Sequence, residues 1–238
     1  MRPGIPYHFV APPSRCEYLP DQSSRLEYEV VPGLTPASYT RRLLEGWRRF
    51  GSVTFRPRCR ACSACRSLRV DVARFRPDRS QRRAWKRNES DVTLLVGEPA
   101  VDAARLDLYR RFHAHQQAAK GWPGSGGDPD SYRLTFVDNP FPTREWRFEL
   151  GGKLVGVGYV DELPVGLSAI YFFHDPDHRD RSLGTWNVLR LLDHARSLGL
   201  PHLYLGYHVA GCRSLAYKAR FAPNQALDPN GTWRDFML

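Results

Sequence analysis

Three strand-like runs in close succession, 145–150, 154–160 and 167–173, do most to limit what this chain can fold into. The joins between them, Gly151-Gly152 and the turn at Pro164 and Gly166, are too short for a crossover, so the three strands pair antiparallel. Ahead of them Val101, Ala104, Leu108 and Phe112 line one side of a helix running from Pro99 to Lys120, and the Gly- and Pro-rich stretch 121–130 reads as a loop. Behind them Val188, Leu191, Leu192 and Ala195 recur at helical spacing, which predicts a helix over 182–198, stopped by Gly199 and Pro201. A strand over 202–207 and a short helix over 213–220 complete the string, an α+β order.

The first third reads differently. Four prolines make 1–15 an irregular arm. A helix is predicted over 35–50: Thr35 caps it, Pro36 suits its first turn, and Tyr39, Leu43, Trp47 and Phe50 form its apolar stripe. Leu68, Val70 and Val72 alternate with Arg69 and Asp71, which predicts a strand holding Arg69 opposite the aliphatics. A boundary near 90–100 divides the chain into a smaller Cys/Arg-rich domain, 1–95, and a second domain, 96–238. The order of the second domain is that of an acetyltransferase-like (GNAT) fold, a mainly antiparallel sheet flanked by helices.

Charge is unevenly spread. The chain of 238 residues has a net charge of +10, yet residues 41–90 hold 16 Lys and Arg against 4 Asp and Glu, a net of +12. A GC-rich genome accounts for arginine outnumbering lysine, but not for the clustering, which points to a polyanion such as nucleic acid. No run approaches the roughly 20 apolar residues of a membrane helix, and the start lacks a signal-peptide core. A soluble, cytoplasmic protein without a membrane or DNA partner is expected.

Three constellations bear chemistry. Cys59-x-x-Cys62-x-x-Cys65, with Cys16 upstream, supplies four thiols, the number for a tetrahedral zinc or an iron–sulfur cluster; haem, or unligated thiols in a reducing compartment, are the other readings. Cys212 reads as a small packed hydrophobe. The run from Phe75 to Arg87 interleaves Arg76, Arg79, Arg82, Arg83, Lys86 and Arg87 with Trp85, a composition for phosphate contact and stacking. From Tyr171 to Thr185 a strand gives way through Arg179 and Arg181 to a helix opened by Ser182 and Gly184, whose free N–H groups suit a phosphate or oxyanion. His174 and His178, among Asp175, Asp177 and Asp180, read as turn chemistry around Pro176 rather than metal ligation.

Taken in order, Cys16-Glu-Tyr18-Leu-Pro20, Gly46-Trp-Arg48-Arg49-Phe-Gly51, the three-cysteine motif with Leu68-Arg69-Val70, and Ser80-Gln-Arg82-Arg83 resemble the N-terminal half of arginyl-tRNA–protein transferases. Leu167-Ser168-Ala-Ile-Tyr171, Ser182-Leu-Gly184-Thr185, Tyr204-Leu-Gly206-Tyr207 and Tyr217-Lys218-Ala-Arg220-Phe221 resemble the C-terminal half. Trp47 stands where Phe is expected and Leu215 where Met is expected. The compact form is most similar to the bacterial aspartate/glutamate leucyltransferase branch.

That resemblance implies transfer of leucine from Leu-tRNA to the α-amine of a protein beginning with Asp or Glu, tagging it for degradation; arginine from Arg-tRNA is the alternative. An activated ester donor needs no cofactor. Backbone N–H groups near Tyr171 or at Ser182, Gly184 and Thr185 are candidates for the oxyanion, and Asp161, Tyr171 or Tyr207 for an optional base. Arg69, with Arg76 and Arg82 behind it and Ser168 beside, is expected to read the acidic residue; Arg48, Arg49, Arg79, Arg83, Lys86 and Arg87 are expected on tRNA phosphates. A small-molecule N-acetyltransferase and a zinc-ribbon RNA-binding module are the rival classes, each accounting for half of the chain.

Overall fold

The computed structural model describes residues 6–122, 124 and 127–236. Strand β1 (Tyr7–Val10), the short pair β2 (Ser14–Arg15) and β3 (Ser23–Ser24), and β4 (Leu26–Val30) lead into helix α1 (Pro36–Leu44), followed by β5 (Arg48–Phe50) and β6 (Val53–Pro57). The expected arm therefore contains a strand, because Tyr7–Val10 has β4 to pair with. The helix expected over 35–50 starts as read, with Thr35 accepting from Ser38 N, but ends at Leu44. Gly46 takes a φ of +87°, and a Cβ there would meet Leu227 Cδ2 at 2.9 Å, so the chain turns at a residue only glycine fills. Trp47 then leaves the stripe and Arg48–Phe50 pair with β6.

Next come β7 (Arg66–Asp71), α2 (Arg79–Asn88), β8 (Val92–Gly97), α3 (Ala103–Lys120) and the single turn α4 (Pro129–Tyr132), which runs into a π-helical turn, Arg133–Val137. The three strands read from the sequence are β9 (Arg144–Leu150), β10 (Lys153–Leu163) and β11 (Gly166–His174), joined antiparallel as expected. Helix α5 (Leu183–Ser197), β12 (His202–His208), α6 (Arg213–Ala216), β13 (Asn224–Leu227) and β14 (Trp233–Asp235) close the chain. No helix among the described residues is long and apolar enough to cross a membrane.

One sheet is antiparallel in the order β1-β4-β6-β5; the larger has eight strands in the order β14-β13-β7-β12-β11-β10-β9-β8. Only β11 and β12 run parallel in it. Strand β7 lies inside the large sheet, hydrogen-bonded to β12 on one edge and β13 on the other. Strand β7 and most of β8, assigned from the sequence to the first domain, 1–95, are thus woven into the layer that carries the second. The reason is apolar: Leu68 and Val70, fully buried, share a core with Trp186, Leu191 and Leu203. On that face α2 packs against α5, Trp85 edge-on to Trp186 at 4.7 Å. The opposite face is covered by α3 and an aromatic cluster of Tyr132, Phe136, Tyr159 and Phe173.

Candidate functional site between diverging strands

Strands β11 and β12 pair at only two positions, Leu167 with Leu203 and Ser168 with Tyr204. Irregularities between Tyr159 and Val160 and between Tyr204 and Gly206 break the register of β10 with β11 and of β12 with β7, just where the parallel pair stops. Beyond that point side chains take the strands' open carbonyls. Arg48, on β5, donates to Ala169 O, and Lys218 Nζ donates to Tyr207 O at 3.0 Å. Along the rest of β11, Tyr171 holds His113 of α3, hydroxyl to Nε2 at 3.0 Å, within a ring cage that includes Tyr109 and Phe136. Burial pushes the His113 imidazole below its usual pKa and the Tyr171 hydroxyl well above its own, so the pair stands as neutral imidazole and neutral phenol.

The start of α5 is as the sequence suggested: Ser182 is exposed at a φ of 57°, no side chain caps the first turn, and a Cβ on Gly184 would meet nothing within 4 Å. The arginines expected to charge it are engaged. Arg181 pairs with Asp91 at 2.8 Å, and Arg179 is within 3.4 Å of His115. Asp175 accepts from Asp177 N and from Arg111, the turn chemistry that was expected of this segment.

Cys16, Cys59, Cys62 and Cys65 line one cavity of about 470 Å³ together with Tyr18, Leu19 and Tyr207. Burial and the neighbouring sulfurs, Cys16, Cys59, Cys62 and Cys212, push the Cys65 thiol up to about 12. Burial likewise pushes Tyr18 up to about 12, Cys65 adding to it. The cysteines thus share a cavity, but among the described residues no three Cys, His, Asp or Glu side chains form a metal-ligand group.

Several expected site residues have other work. Arg49 is fully buried, donating to Asp161, Thr143, Asn139 and Gly51 O, so it cannot meet a phosphate and Asp161 cannot serve as a base. Arg48 is 6% exposed and lies in the strand wedge rather than on the surface expected to hold tRNA. Tyr207 donates its hydroxyl to Gly46 O at 2.9 Å, anchoring the α1–β5 turn. Ser168 is sealed between Asp161 and Tyr204 in neighbouring strands. Arg69 lies on the strand predicted for it, but Nε and Nη2 both donate to Gln225 Oε1 at 2.9 and 2.7 Å, and its guanidinium sits 4.5 Å from the centre of the Trp233 ring. Arg76 and Arg82 are exposed and donate to backbone carbonyls nearby.

The remaining basic candidates are where a polyanion can reach them. Asp78 caps α2 through Gln81, and the helix turns Gln81, Ala84 and Asn88 inward. Arg79, Arg83, Lys86 and Arg87 are left exposed, and among the described residues none of them has an ion-pair partner. Sequence reasoning missed His113, Lys218 and Gly206. The Tyr217-Lys218 motif was visible, but nothing local distinguishes its lysine from a surface one.

A shallow likeness joins part of this fold to a solved structure, L-PGS from Bacillus licheniformis, at 16% identity and a TM-score of 0.42 over 61% of this chain and 47% of that one. Sequence comparison is far more specific and points to the tRNA-dependent transferases as a class. The family description "Arginine-tRNA-protein transferase, N terminus" matches residues 14–83, and "Arginine-tRNA-protein transferase, C terminus" matches residues 104–228. Proteins named aspartate/glutamate leucyltransferase are similar over most of their length: one from Marinobacter nauticus is 38% identical, covering 95% of this chain and 94% of its own. Relatives of the same name from Nitrosococcus oceani (38%, 90% of each chain) and Halorhodospira halophila (39%, 92% of each) agree. The chain belongs to the arginine-tRNA-protein transferase family.

Proposed function

We propose that the protein transfers leucine from Leu-tRNA to the α-amine of a protein beginning with Asp or Glu. The observation that carries this is similarity to aspartate/glutamate leucyltransferases at 35–40% identity over 80–95% of this chain. The architecture is compatible with an acetyltransferase-like (GNAT) catalytic layer: a helix, three antiparallel strands, a helix and a parallel strand that splays from its neighbour. A cytoplasmic setting accords with that substrate.

The chemistry asks little of the protein. The donor is an ester, and the acceptor amine, with a pKa of about 7.7–8.0, is partly neutral near pH 7. Attack of its lone pair on the ester carbonyl forms the amide, releases the tRNA 3′-end hydroxyl, and passes the ammonium proton to that oxygen or to solvent. Catalysis is then juxtaposition plus donors for the tetrahedral oxyanion. N–H groups on the β12-facing edge of β11 past Ser168, and those of Gly184 and Thr185 at the start of α5, are the donors proposed here. The exposed cations of α2 are suited to acceptor-stem phosphates. No step is assigned to a metal or cluster; metal analysis of anaerobically purified protein tests whether the cysteine cavity closes on one.

Incubating the protein with an Asp-initiated peptide and, separately, charged Leu-tRNA and Arg-tRNA tests the reading. Transfer from Leu-tRNA supports it, transfer from Arg-tRNA alone replaces leucine with arginine, and transfer from neither overturns it.

A further inference from the structure

Two cationic side chains meet inside the strand wedge without an acidic partner. A Cβ built on Gly206 would stand 3.5 Å from Arg48 Nε and 3.7 Å from Lys218 Nζ, so both charges converge on one small space beside a residue with no side chain. Gly206 adopts a φ of +76°, a conformation that disfavours any larger residue, and this keeps the space clear. Arg48 comes from the small sheet, Lys218 from the turn after α6, and Gly206 from the large sheet. Each cation donates to one carbonyl of the diverging strands, and among the described residues neither has an ion pair. Two like charges this close, partly withdrawn from water, oppose one another unless an anion sits between them.

Resting on the leucyl-transfer reading, we propose that Arg48 and Lys218 bind the side-chain carboxylate of the acceptor's first residue over Gly206. Guanidinium and ammonium, both within 3.7 Å of the point where a Cβ on Gly206 would stand, together offer a carboxylate a forked and a point-charge donor. Arg69 is less suited to the task, since Gln225 already occupies its fork. Burial and the facing Arg48 push the Lys218 ammonium down to about 7, with Cys212 acting weakly the other way; a bound carboxylate relieves that opposition. Selection of Asp or Glu over Asn or Gln follows, because a neutral amide brings no charge to offset the two cations.

The test compares peptides that differ only at residue one, Asp against Asn and Glu against Gln, with Leu-tRNA as donor. Wild type serves first as a control on the functional reading: if it moves no leucine to the Asp peptide, that reading falls and not this one alone. Given transfer by wild type, Lys218→Met is expected to raise KM for the Asp peptide by about 10- to 100-fold, the range expected for losing a charge-assisted hydrogen bond. Transfer to the Asn peptide should change little, so the acid preference collapses, and Lys218→Arg should restore most of it. The tRNA affinity should stay near wild type. Undiminished Asp-over-Asn preference in Lys218→Met overturns the proposal. So does a fall in tRNA affinity with preference intact, which would give the cations to a phosphate instead.

Discussion

Arg49 Nε stands 2.8 Å from Asp161 Oδ2, and neither side chain reaches solvent. The two come from different sheets, β5 and β10, so the bond ties the small sheet to the large one. Its neighbours are Tyr39 and Phe141, whose rings lie 5.6 and 4.6 Å from the guanidinium carbon. Removing one partner leaves a buried charge alone. Arg49→Met and Asp161→Leu are each expected to cost about 3–5 kcal/mol, with the double variant recovering part of the loss. Urea denaturation at neutral pH measures this, and a loss below about 1 kcal/mol in either single variant contradicts it.

The two tyrosines singled out from the sequence should part company. Tyr207 donates to a backbone carbonyl in a closed environment, so Tyr207→Phe should cost about 1 kcal/mol in stability and leave leucyl transfer close to wild type. Tyr171 borders the unpaired stretch of β11 and orients His113; Tyr171→Phe should lower kcat more than it lowers the melting temperature. Equal effects of the two substitutions on turnover would remove that distinction.

Acid should weaken the fold earlier than its carboxylates alone would require. Burial lowers the pKa of His113, His174, His202 and His208 below 6.5, so the unfolded chain binds more protons than the folded one as pH falls through that value. Their contribution is complete above 6.5 and is lost between there and the folded values. Lys218 acts in a higher window: folded near 7 and unfolded near 10.5, it makes stability rise with pH between the two. Melting temperatures from pH 5 to 10 check both trends, and His174→Phe should flatten the acid limb.

Salt dependence will report on α2. Arg83→Gln with Arg87→Gln should reduce the slope of log K for tRNA against log salt by about 1.4–1.8, since each phosphate left unneutralised lowers it by about 0.7–0.9. Helix content should not change, since both side chains are exposed and the cap at Asp78 is untouched. An unaltered slope would mean that the tRNA lies elsewhere.

Local pattern carried the reading of the second half because its partners lie close in sequence. Hairpins β9–β10 and β10–β11 have short turns, and α5 has one apolar face, so spacing alone located them. Arg48 and Arg49 show the limit. Both looked like surface arginines in a basic run, yet the turn at Gly46 converts the end of a helix into a strand and carries them inward. Whether an arginine meets phosphate or Asp161 depends on a residue 112 positions away, which no periodicity encodes. The same holds for Lys218, whose meaning comes from Gly206 and Arg48. The α2 cations were legible as a basic run, but the helix that turns Gln81, Ala84 and Asn88 inward and leaves them on its outer face was not.

The position of β7 sets the timing of assembly. Val70 finds its neighbours at Leu203 and Asn224, so during synthesis the middle of the large sheet waits open until nearly the whole chain has left the ribosome. Such distant pairings raise contact order and slow folding, and they make the sheet close late and all at once. A fragment cut near residue 95 would carry α2 and β7 with their apolar faces bare, and the rest would lack an inner strand and the helix that covers it. Neither piece can stand in for the enzyme, which matures only as a whole.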